Sequence, residues 1–437
     1  MSADPQAAVP AGPGPAARSA AEPAPAPSRW RDAITRIVSG SWAVSLGAVV
    51  LAVLAGSIMI AATDDGVRAA SAYFFSRPGD TFAAIGTAVG GAYAALFRGA
   101  VWDFRADDFG TAIRPLTNSL TMATPLIAAG LGVALTFRAG MFNIGGRGQM
   151  LVAAGAAGWV GFGVQMPWPL HMLLAMTAGI AAGALWAGIA GLLKAYTGAH
   201  EVIVTIMLNY VAFYLISYLL STPGLLQAPG SANPKTPPMK PSAIMPDLLG
   251  PKYNLHLGFV FALIAVVLVW WLLNRSRLGF EFRAIGENPA AARVAGINVP
   301  RVTVYAMLVA GGLVALAGTT QVLGTVTTGF SYDIDSGIGF DAITVALLGR
   351  SSPFGVLGAA ILFGAFKAGG STMQAAEGIP IEIVLVVQSL IVLFIAAPPL
   401  VRAVFRLPQP DTSGRRRRNK PDATVTTDGA QGAEVTA

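Results

Sequence analysis

The chain has 437 residues, of which 54% are hydrophobic and 12% are charged. Soluble domains carry about 25% charged residues, so this composition excludes an ordinary soluble protein and indicates one that crosses a membrane several times. Cysteine is absent from the sequence, which excludes disulfides and lipid attachment through cysteine, and basic residues at span ends explain the net charge of +7 better than nucleic-acid binding does.

Both ends of the chain differ in composition from its middle. Residues 1–40 are rich in proline and alanine and are predicted to form a disordered cytoplasmic tail. A basic cluster then precedes the apolar run 42–62, which is too long for a signal-peptide core and indicates a retained first span. Residues 407–437 are predicted to be a second disordered tail, basic and cytoplasmic, which leaves 41–406 as the transmembrane domain.

Apolar runs of spanning length recur through this domain, and counting the interrupted one as two gives about ten crossings. The runs lie at 42–62, 116–137, 148–165, 170–193, 202–221, 256–274, 302–323, 341–349 with 353–371, and 381–402. The predicted fold class is therefore an all-α polytopic membrane protein with about ten transmembrane helices and both termini in the cytoplasm.

Two long loops are predicted on the outer side. Within residues 63–115, the glycine- and alanine-rich run 82–97 could be a further span, but another crossing would break the charge assignment, so an amphipathic surface helix is preferred. The loop 222–254 contains eight prolines and is predicted to form an outer cap, either ordered by contact or mobile, that is available to a receptor.

A faint internal repeat suggests two halves built on one plan. Lys194 before Glu201 is echoed by Lys367 before Glu382, and each lysine is predicted to neutralise the glutamate that follows it. In the crossing order, Glu201 opens a span that runs outward and Glu382 opens one that runs inward. The halves are therefore predicted to be inverted repeats, a transporter architecture, with chance similarity among apolar residues as the alternative.

Two glycine-rich breaks interrupt the apolar runs, one in each half. The first is RAGMFNIGGRGQM at Arg138 to Met150, and the second spans Leu348 to Gly355. Glycine costs a helix interior about 1 kcal/mol relative to alanine, so helix is hard to sustain through these segments. Because unwound backbone at membrane depth must face protein or water, we interpret both as broken helices near the midplane that line a pathway. A plain cytoplasmic turn is the alternative for the first break.

Polar residues in or beside apolar runs are candidates for the wall of a solute path, although interhelical hydrogen bonds are the commoner role of such residues. They are Asn209, Gln321, Asp333, Asp335, Asp341 and Gln388, and the first glycine-rich break adds Asn143, Arg147 and Gln149. The three histidines are scattered and offer no metal spacing, so no metal site is predicted. The sequence has no P-loop and no nucleophile elbow, so we predict no catalytic residue and an external source of energy.

The segment 280–300, FEFRAIGENPAAARVAGINVP, is predicted to be a short capped helix on the cytoplasmic side. Asn288 is a good N-cap, Pro289 fits the first helical position, and Gly296 can take the left-handed position after the last turn. About two turns, or roughly 10 Å, separate these signals, which is too short to cross a bilayer. One side is apolar and the other charged, so the helix can dock into a groove of another protein. The apolar residues are Ile285, Val294, Ala295 and Ile297, and the charged ones are Arg283, Glu287, Arg293 and Arg301.

Two stretches, 124–150 (TPLIAAGLGVALTFRAGMFNIGGRGQM) and 282–297 (FRAIGENPAAARVAGI), closely resemble the permease subunits of ABC importers for nucleosides and related simple sugars. The resemblance covers roughly 116–403 and implies about ten transmembrane helices in the bacterial plasma membrane. It also implies a second permease subunit, commonly a different chain but in some systems an identical one. The remaining implied partners are a tandem ATPase subunit that binds ATP and magnesium, and an extracytoplasmic receptor, a lipoprotein in Gram-positive bacteria.

The resemblance also implies roles for particular residues, with no cofactor bound by this chain itself. An ATPase-coupling helix would comprise Arg283, Glu287, Asn288, Pro289, Arg293 and Gly296. The path would be lined by Phe142, stacking on a base, and by Asn143 and Gln149, bonding polar edges, with Asn209 and Gln388 as further candidates. The family usually reads FNIGAEGQ, whereas here Gly146 and Arg147 replace alanine and glutamate, which puts any role for the acidic residue in doubt.

Alternatives remain open on the solute and on the energy source. Within the class, the chain could be a permease for simple sugars or for branched-chain amino acids, and its glycine-rich segment looks least like the amino-acid branch. Outside the class, an ion-coupled secondary transporter would fit the inverted repeat and the acidic residues in the apolar runs.

Overall fold

A computed structural model of the protein describes residues 41–405, so the predicted tails 1–40 and 407–437 lie outside the described residues. Apart from one isolated bridge between Asp247 and His256, every regular element in the described range is helical. The elements are α1 Ser41–Thr63, α2 Asp65–Ser71, α3 Pro78–Ala100, α4 Phe109–Ala112, α5 Arg114–Arg138, α6 Gly146–Gly163, α7 Leu170–Thr197, α8 Glu201–Ser221, α9 Gly258–Arg275, α10 Arg277–Glu287, α11 Pro289–Val294, α12 Val299–Thr320, a π-helical turn Gln321–Thr325, α13 Ile338–Leu348, α14 Pro353–Glu377, α15 Ile381–Ala396 and α16 Pro398–Phe405.

Six of the described helices are long and apolar enough to cross a membrane, or up to eight if each of two bent helix pairs counts as one span. The predicted polytopic, all-α class is thereby confirmed, whereas the number of ten crossings stays a prediction. The predicted span 148–165 is α6, which is not among the six. The interrupted run is the 11-residue α13 followed by α14, and of these two only α14 has spanning length.

Small residues bring the central helices α6, α7 and α12 into direct backbone contact. A Cβ atom on Gly183 of α7 would lie 2.5 Å from Ala315 Cβ and 2.9 Å from Gln149 O, and one on Gly318 of α12 would lie 2.5 Å from Met150 O. Contacts this close require glycine, which is how apolar helices associate when lipid offers no hydrophobic driving force. These three helices therefore form a tightly packed centre.

The helix α5 packs antiparallel to α14 beside this centre. Gly130 near the end of α5 contacts Val356 at the start of α14, and Ala123 earlier in α5 contacts Gly364 farther along α14. The predicted surface helix 82–97 lies within α3, whose second half packs on α14 and α1. That this segment is a surface helix and does not cross the membrane stays a prediction.

The proline-rich loop 222–254 is ordered by contact, the first of its two predicted alternatives. Thr236 N–H donates to Phe330 O at 3.0 Å and Met239 N–H donates to Thr327 O at 2.8 Å. Met245 N–H donates to an oxygen of the π-helical turn. The loop is thus tied by backbone hydrogen bonds to the chain that follows α12.

One predicted ion pair is confirmed and the other is wrong. Lys194 Nζ lies 2.6 Å from Glu201 Oε2, as expected. Lys367 does not pair with Glu382 but lies 2.7 Å from Asp341 Oδ2 on α13. Lys367 precedes the end of α14 by ten residues, about 15 Å of helix, and Glu382 lies beyond that end.

Candidate functional site

The two broken spans meet where their helices begin. A Cβ atom on Gly146, the first residue of α6, would lie 2.8 Å from the backbone oxygen of Gly339 near the start of α13. From this junction α6 leads to the 222–254 loop, because Gly161 O accepts from Lys240 N–H at 3.0 Å. In contrast, α13 leads to the end of α5, where Arg138 Nε donates to Ser351 O at 3.0 Å. The helices therefore start side by side and run in opposite directions.

The first break is shorter than the sequence suggested. Non-helical chain is confined to residues 139–145, whereas 146–150, predicted to be hard to hold as helix, forms the first turn of α6. Asn209 explains this difference, because its Oδ1 accepts from Gly148 N–H at 2.8 Å and so satisfies one of the free amides at the helix start. The second break is Gly349–Ser352, where Arg350 and Ser351 have positive φ angles of 52° and 49°.

Three of the predicted path residues form a buried amide cluster. Asn143 Oδ1 accepts from Gln149 Nε2 at 3.0 Å and from Gly145 N–H at 2.9 Å. Asn209 Nδ2 donates to Ile144 O at 2.9 Å. These hydrogen bonds fasten the 139–145 chain to α6 and α8. The side-chain amides are buried and are hydrogen-bonded to one another and to the backbone. That these residues line the path stays a prediction.

The other two predicted path residues lie outside that cluster. Phe142 is 41% exposed, its ring centroid lies 4.7 Å from that of Phe137, and its N–H donates to Glu201 Oε1 at 3.4 Å. Gln388 is on α15, and its buried Oε1 has no hydrogen-bond partner. Among the described residues, Gln388 is joined by a hydrogen bond to neither Asn143 nor Gln149, and its place in the path stays a prediction.

A second cluster, of charged and aromatic residues, adjoins the junction of α6 and α13. Arg147 Nε lies 3.2 Å from Asp335 Oδ1, and Arg147 Nη2 lies 3.8 Å from Asp333 Oδ1. The same guanidinium stacks 5.0 Å from the ring centroid of Phe213, and Tyr332 packs edge-on against Phe213 at 5.4 Å. We call Arg147, Phe213, Tyr332, Asp333 and Asp335 the midspan cluster.

The sequence singled out both aspartates and the unusual Arg147, but not their pairing. The partners are 188 residues apart for Arg147 and Asp335, so no local pattern joins them. Phe213 is the thirteenth residue of the 21-residue candidate span α8, which puts the cluster about 18 Å from the start of a helix about 31 Å long. The cluster therefore lies near the middle of this candidate membrane span.

The short capped helix predicted in segment 280–300 is α11, and its cap signals are confirmed. Asn288 Oδ1 accepts from the N–H groups of Ala290 and Ala291, both at 3.0 Å, and Pro289 is the first helical residue. Gly296 has a left-handed φ of +83°. The sequence missed the preceding helix α10, in which Gly279 and Gly286 weaken the helical signal.

The prediction of a single apolar side for this segment is wrong. Ile285 is buried in the protein with Leu135 and Met141, whereas Val294 is 91% exposed. The reason is the extended backbone of Asn288, φ −158° and ψ 102°, which separates α10 from α11 and turns them to different surroundings. Among the predicted coupling residues, Glu287 and Arg293 are exposed, as are Asn288, Pro289 and Gly296, while Arg283 is half-buried.

Backbone contact connects α10 to the first break. A Cβ atom on Gly286 would lie 2.3 Å from Arg138 O and 2.9 Å from Gly140 N, so glycine is required for this approach. Gly140 itself has a φ of +69°, a conformation that favours glycine. The helix α10 is thus in direct backbone contact with the 139–145 chain that leads to α6.

Comparison with known proteins identifies the architecture. The family described as branched-chain amino acid transport system, permease component, matches residues 116–396. The guanosine ABC transporter permease protein NupP of Bacillus subtilis is 40% identical over 290 residues, 65% of this chain and 82% of the relative. The glucose ABC transporter permease protein TsgB13 of Haloferax volcanii is 37% identical over 289 residues, 64% of this chain and 75% of the relative. No solved structure matches the chain significantly.

A third relative comes from a system with two similarly named permeases. The nucleoside ABC transporter permease protein NupB of Lactococcus lactis is 33% identical over 304 residues, 67% of this chain and 81% of the relative. That organism and Bacillus subtilis each have a second permease named for the same solute, NupC and NupQ, both 27% identical to this chain over 57% and 56% of its length, and 80% and 78% of theirs. With its membrane-spanning helices, its junction of broken spans and these relatives, the chain belongs to the permease-component family of ABC transport systems, as a plasma-membrane transport subunit rather than an enzyme.

Proposed function

We propose that this permease forms part of the path through which an ATP-driven importer takes up nucleosides. Of the three relatives reported above that are more than 30% identical to this chain, two are named for guanosine or nucleosides, and one of these is 40% identical. Related sugars are the second candidate, because a relative at 37% identity is named for glucose. All three are ABC permeases, which leaves the ion-coupled transporter without support.

The importer that we propose has three partners for this chain. A second permease subunit completes the path, and the paired relatives of two organisms favour a different chain over a second copy. An ATPase subunit, which we expect to be a tandem protein, binds ATP and magnesium on the cytoplasmic side. An extracytoplasmic receptor, which we expect to be a lipoprotein, delivers the solute to the loop 222–254.

The observation that carries the proposal is the connection between the exposed α11 and the first break. Val294 presents an apolar side chain that is 91% exposed, next to a helix start capped by Asn288. Behind α11, the backbone of Gly286 in α10 touches that of Arg138 and Gly140. A partner seated on α11 therefore has a route of contacts to the start of α6.

In the proposed mechanism, movement passes along this route from the ATPase to the start of α6. ATP binding in the partner displaces α11 and α10, the 139–145 chain follows, and the start of α6 moves relative to α13. The path then opens alternately to each side. Such coupling requires that the ATPase contact the two states of the permease differently, since tight binding alone shifts no equilibrium.

The proposed topology has ten crossings, both termini in the cytoplasm, and two halves related as inverted repeats. The opposite directions of α6 and α13 from one junction support this topology, because inverted repeats place broken helices at the midplane in opposite orientations. The positions of Arg138 and of the coupling segment then lie on the cytoplasmic side, and 222–254 on the outer side.

A substitution on α11 tests the docking of the ATPase. Val294→Asp removes an apolar contact of about 1.5–3 kcal/mol, so the affinity of the ATPase subunit for the permease in lipid nanodiscs should fall about 10- to 100-fold. Val101→Asp, at a 38% exposed valine following α3, is the matched control and should leave the affinity unchanged. Equal binding by the two variants would contradict the assignment of α11.

Uptake by the assembled importer tests the solute and the energy source. Vesicles that contain both permeases, the ATPase and the receptor should accumulate labelled guanosine only with ATP, and an uncoupler should have no effect. Accumulation of glucose but not guanosine would support the sugar alternative. Guanosine uptake that continues without the ATPase would refute the ATP-driven mechanism.

A further inference from the structure

The N-terminal, positive ends of α6 and α13 meet beside the midspan cluster, about halfway along the candidate span α8. Each helix N-terminus carries roughly half a positive elementary charge, and in transporters such ends commonly hold anionic solutes. In this chain, groups of the protein itself already lie at both helix ends and bond to them. Gly148 N–H donates to Asn209 Oδ1 at 2.8 Å, Ile338 N–H donates to Asp335 O at 2.7 Å, and the carboxylate of Asp335 is buried against Arg147.

The charges of the midspan cluster leave no uncompensated positive charge for a solute. Arg147 faces two carboxylates, Asp333 and Asp335, so the side chains sum to minus one, which the two helix ends offset. In the first turn of α13, Asp341 is in turn paired with Lys367 at 2.7 Å. An anion that entered here would meet carboxylates on the surface and a guanidinium already paired beneath them.

Asp333 is the most exposed charged member of the midspan cluster. Its side chain is 69% exposed, whereas that of Asp335 is 5% exposed. A carboxylate near the middle of the membrane cannot face lipid and must face water or protein. Beside it lie the partly exposed rings of Phe213 and Tyr332, which offer aromatic surface for a planar ring, while Asp333 offers acceptors for hydroxyl groups.

We propose that Asp333, held by Arg147 over the buried Asp335, makes this point of the path selective for neutral solutes with hydroxyl groups and closes it to carboxylates and phosphates. The inference rests on the proposed function and narrows its solute class. Nucleosides and sugars pass this point, whereas nucleotides and amino acids, with which the family description is associated, are rejected.

Three guanosine compounds that differ only at the 5′ position, where they are neutral, positively charged or negatively charged, test this selectivity. The importer in vesicles is supplied with guanosine, 5′-amino-5′-deoxyguanosine or guanosine 5′-carboxylate, and binding of each to the receptor is measured so that uptake is compared at saturation. We expect the wild type to take up the carboxylate at least about tenfold more slowly than guanosine, because of like-charge repulsion within a few ångströms in a poorly screened site. The amino compound should be taken up no more slowly than guanosine.

Variants then assign the selectivity to Asp333. Asp333→Asn should reduce the difference between guanosine and its carboxylate to within about threefold, and Asp333→Glu should retain it. The matched control is Asp80→Asn, since Asp80 is also an exposed aspartate, 3.7 Å from Arg77, but lies at the start of α3. It should transport all three compounds as the wild type does.

The outcomes separate this inference from the proposed function. If the wild type takes up no guanosine, the proposed function fails. If it takes up guanosine and the carboxylate equally fast, or if Asp333→Asn assembles and leaves the difference unchanged, the selectivity of the midspan cluster is refuted. Equal uptake of the two compounds by the wild type refutes the inference without any variant, and the variants are needed to assign the selectivity to Asp333.

Discussion

Replacement of Gly286 by alanine should separate ATP hydrolysis from transport. Gly286 lies in α10, and in the observed conformation the new methyl group would sit 2.3 Å from Arg138 O, 2.9 Å from Gly140 N and 3.0 Å from Ala139 C. Ordinary contacts of a Cβ atom are 3.4–4 Å, so α10 and the 139–145 chain must move apart by about 1 Å. The neighbours are backbone atoms, which cannot rotate away as a side chain could.

The magnitude follows from the cost of such overpacking. Extra atoms in a well-packed interior cost about 1–3 kcal/mol, which corresponds to a shift of about 5- to 150-fold between two conformations that differ in this contact. Alanine also gains about 1 kcal/mol of helix propensity over glycine. Gly358→Ala in α14 has the same gain in helix propensity, but no atom lies within 4 Å of its new methyl group. Comparison of the two variants therefore isolates the effect of the backbone contact at Gly286.

The assay is the number of solute molecules taken up per ATP hydrolysed by the reconstituted importer. For Gly286→Ala we expect hydrolysis to continue and this ratio to fall at least fivefold, with receptor binding intact, whereas Gly358→Ala should match the wild type. Thermal unfolding of both variants checks that the permease remains folded. An unchanged ratio in a folded Gly286→Ala importer would show that the contact with the 139–145 chain does not carry the motion.

Four further variants test the candidate site and the coupling segment. Asn143→Ala with Gln149→Ala should lower guanosine uptake and thermal stability together, because the buried N–H of Gly145 loses its acceptor at a cost of about 1–3 kcal/mol; wild-type uptake would count against both residues as part of the path. Arg147→Ala should destabilise the protein by about 3–5 kcal/mol by leaving Asp335 buried and unpaired, and Arg147→Ala with Asp335→Ala should recover most of this in thermal unfolding; a double variant no more stable than the single one would contradict the pairing. Gly296→Pro replaces a φ of +83° by one near −65° and should uncouple hydrolysis from uptake, and normal coupling would argue against a role for the end of α11.

What the sequence predicted correctly was largely local. The caps of α11 depend on Asn288, Pro289 and Gly296 within nine consecutive residues, and each acts on its own backbone or that of its neighbours. The ion pair of Lys194 and Glu201 likewise closes a short turn between two helices. Such features need no knowledge of the rest of the fold.

What the sequence could not predict depends on distant segments. Arg147 looked anomalous, but only the fold brings it to Asp335, and the same is true of Lys367 and Asp341. The amides of Asn143 and Gln149 looked like path residues because they are polar in an apolar chain. Their burial becomes evident only when the 139–145 chain is folded back upon α6.

The junction of Gly146 and Gly339 is connected to two different parts of the protein. On one side, the 139–145 chain that leads to α6 is in backbone contact with Gly286 of the coupling segment. On the other, the chain that leads to α13 is hydrogen-bonded at Phe330 to Thr236 of the 222–254 loop, only three residues before Asp333. In the mechanism that we propose, a force applied at either attachment moves a different half of the same junction, and the solute path opens or closes according to the difference between the two movements.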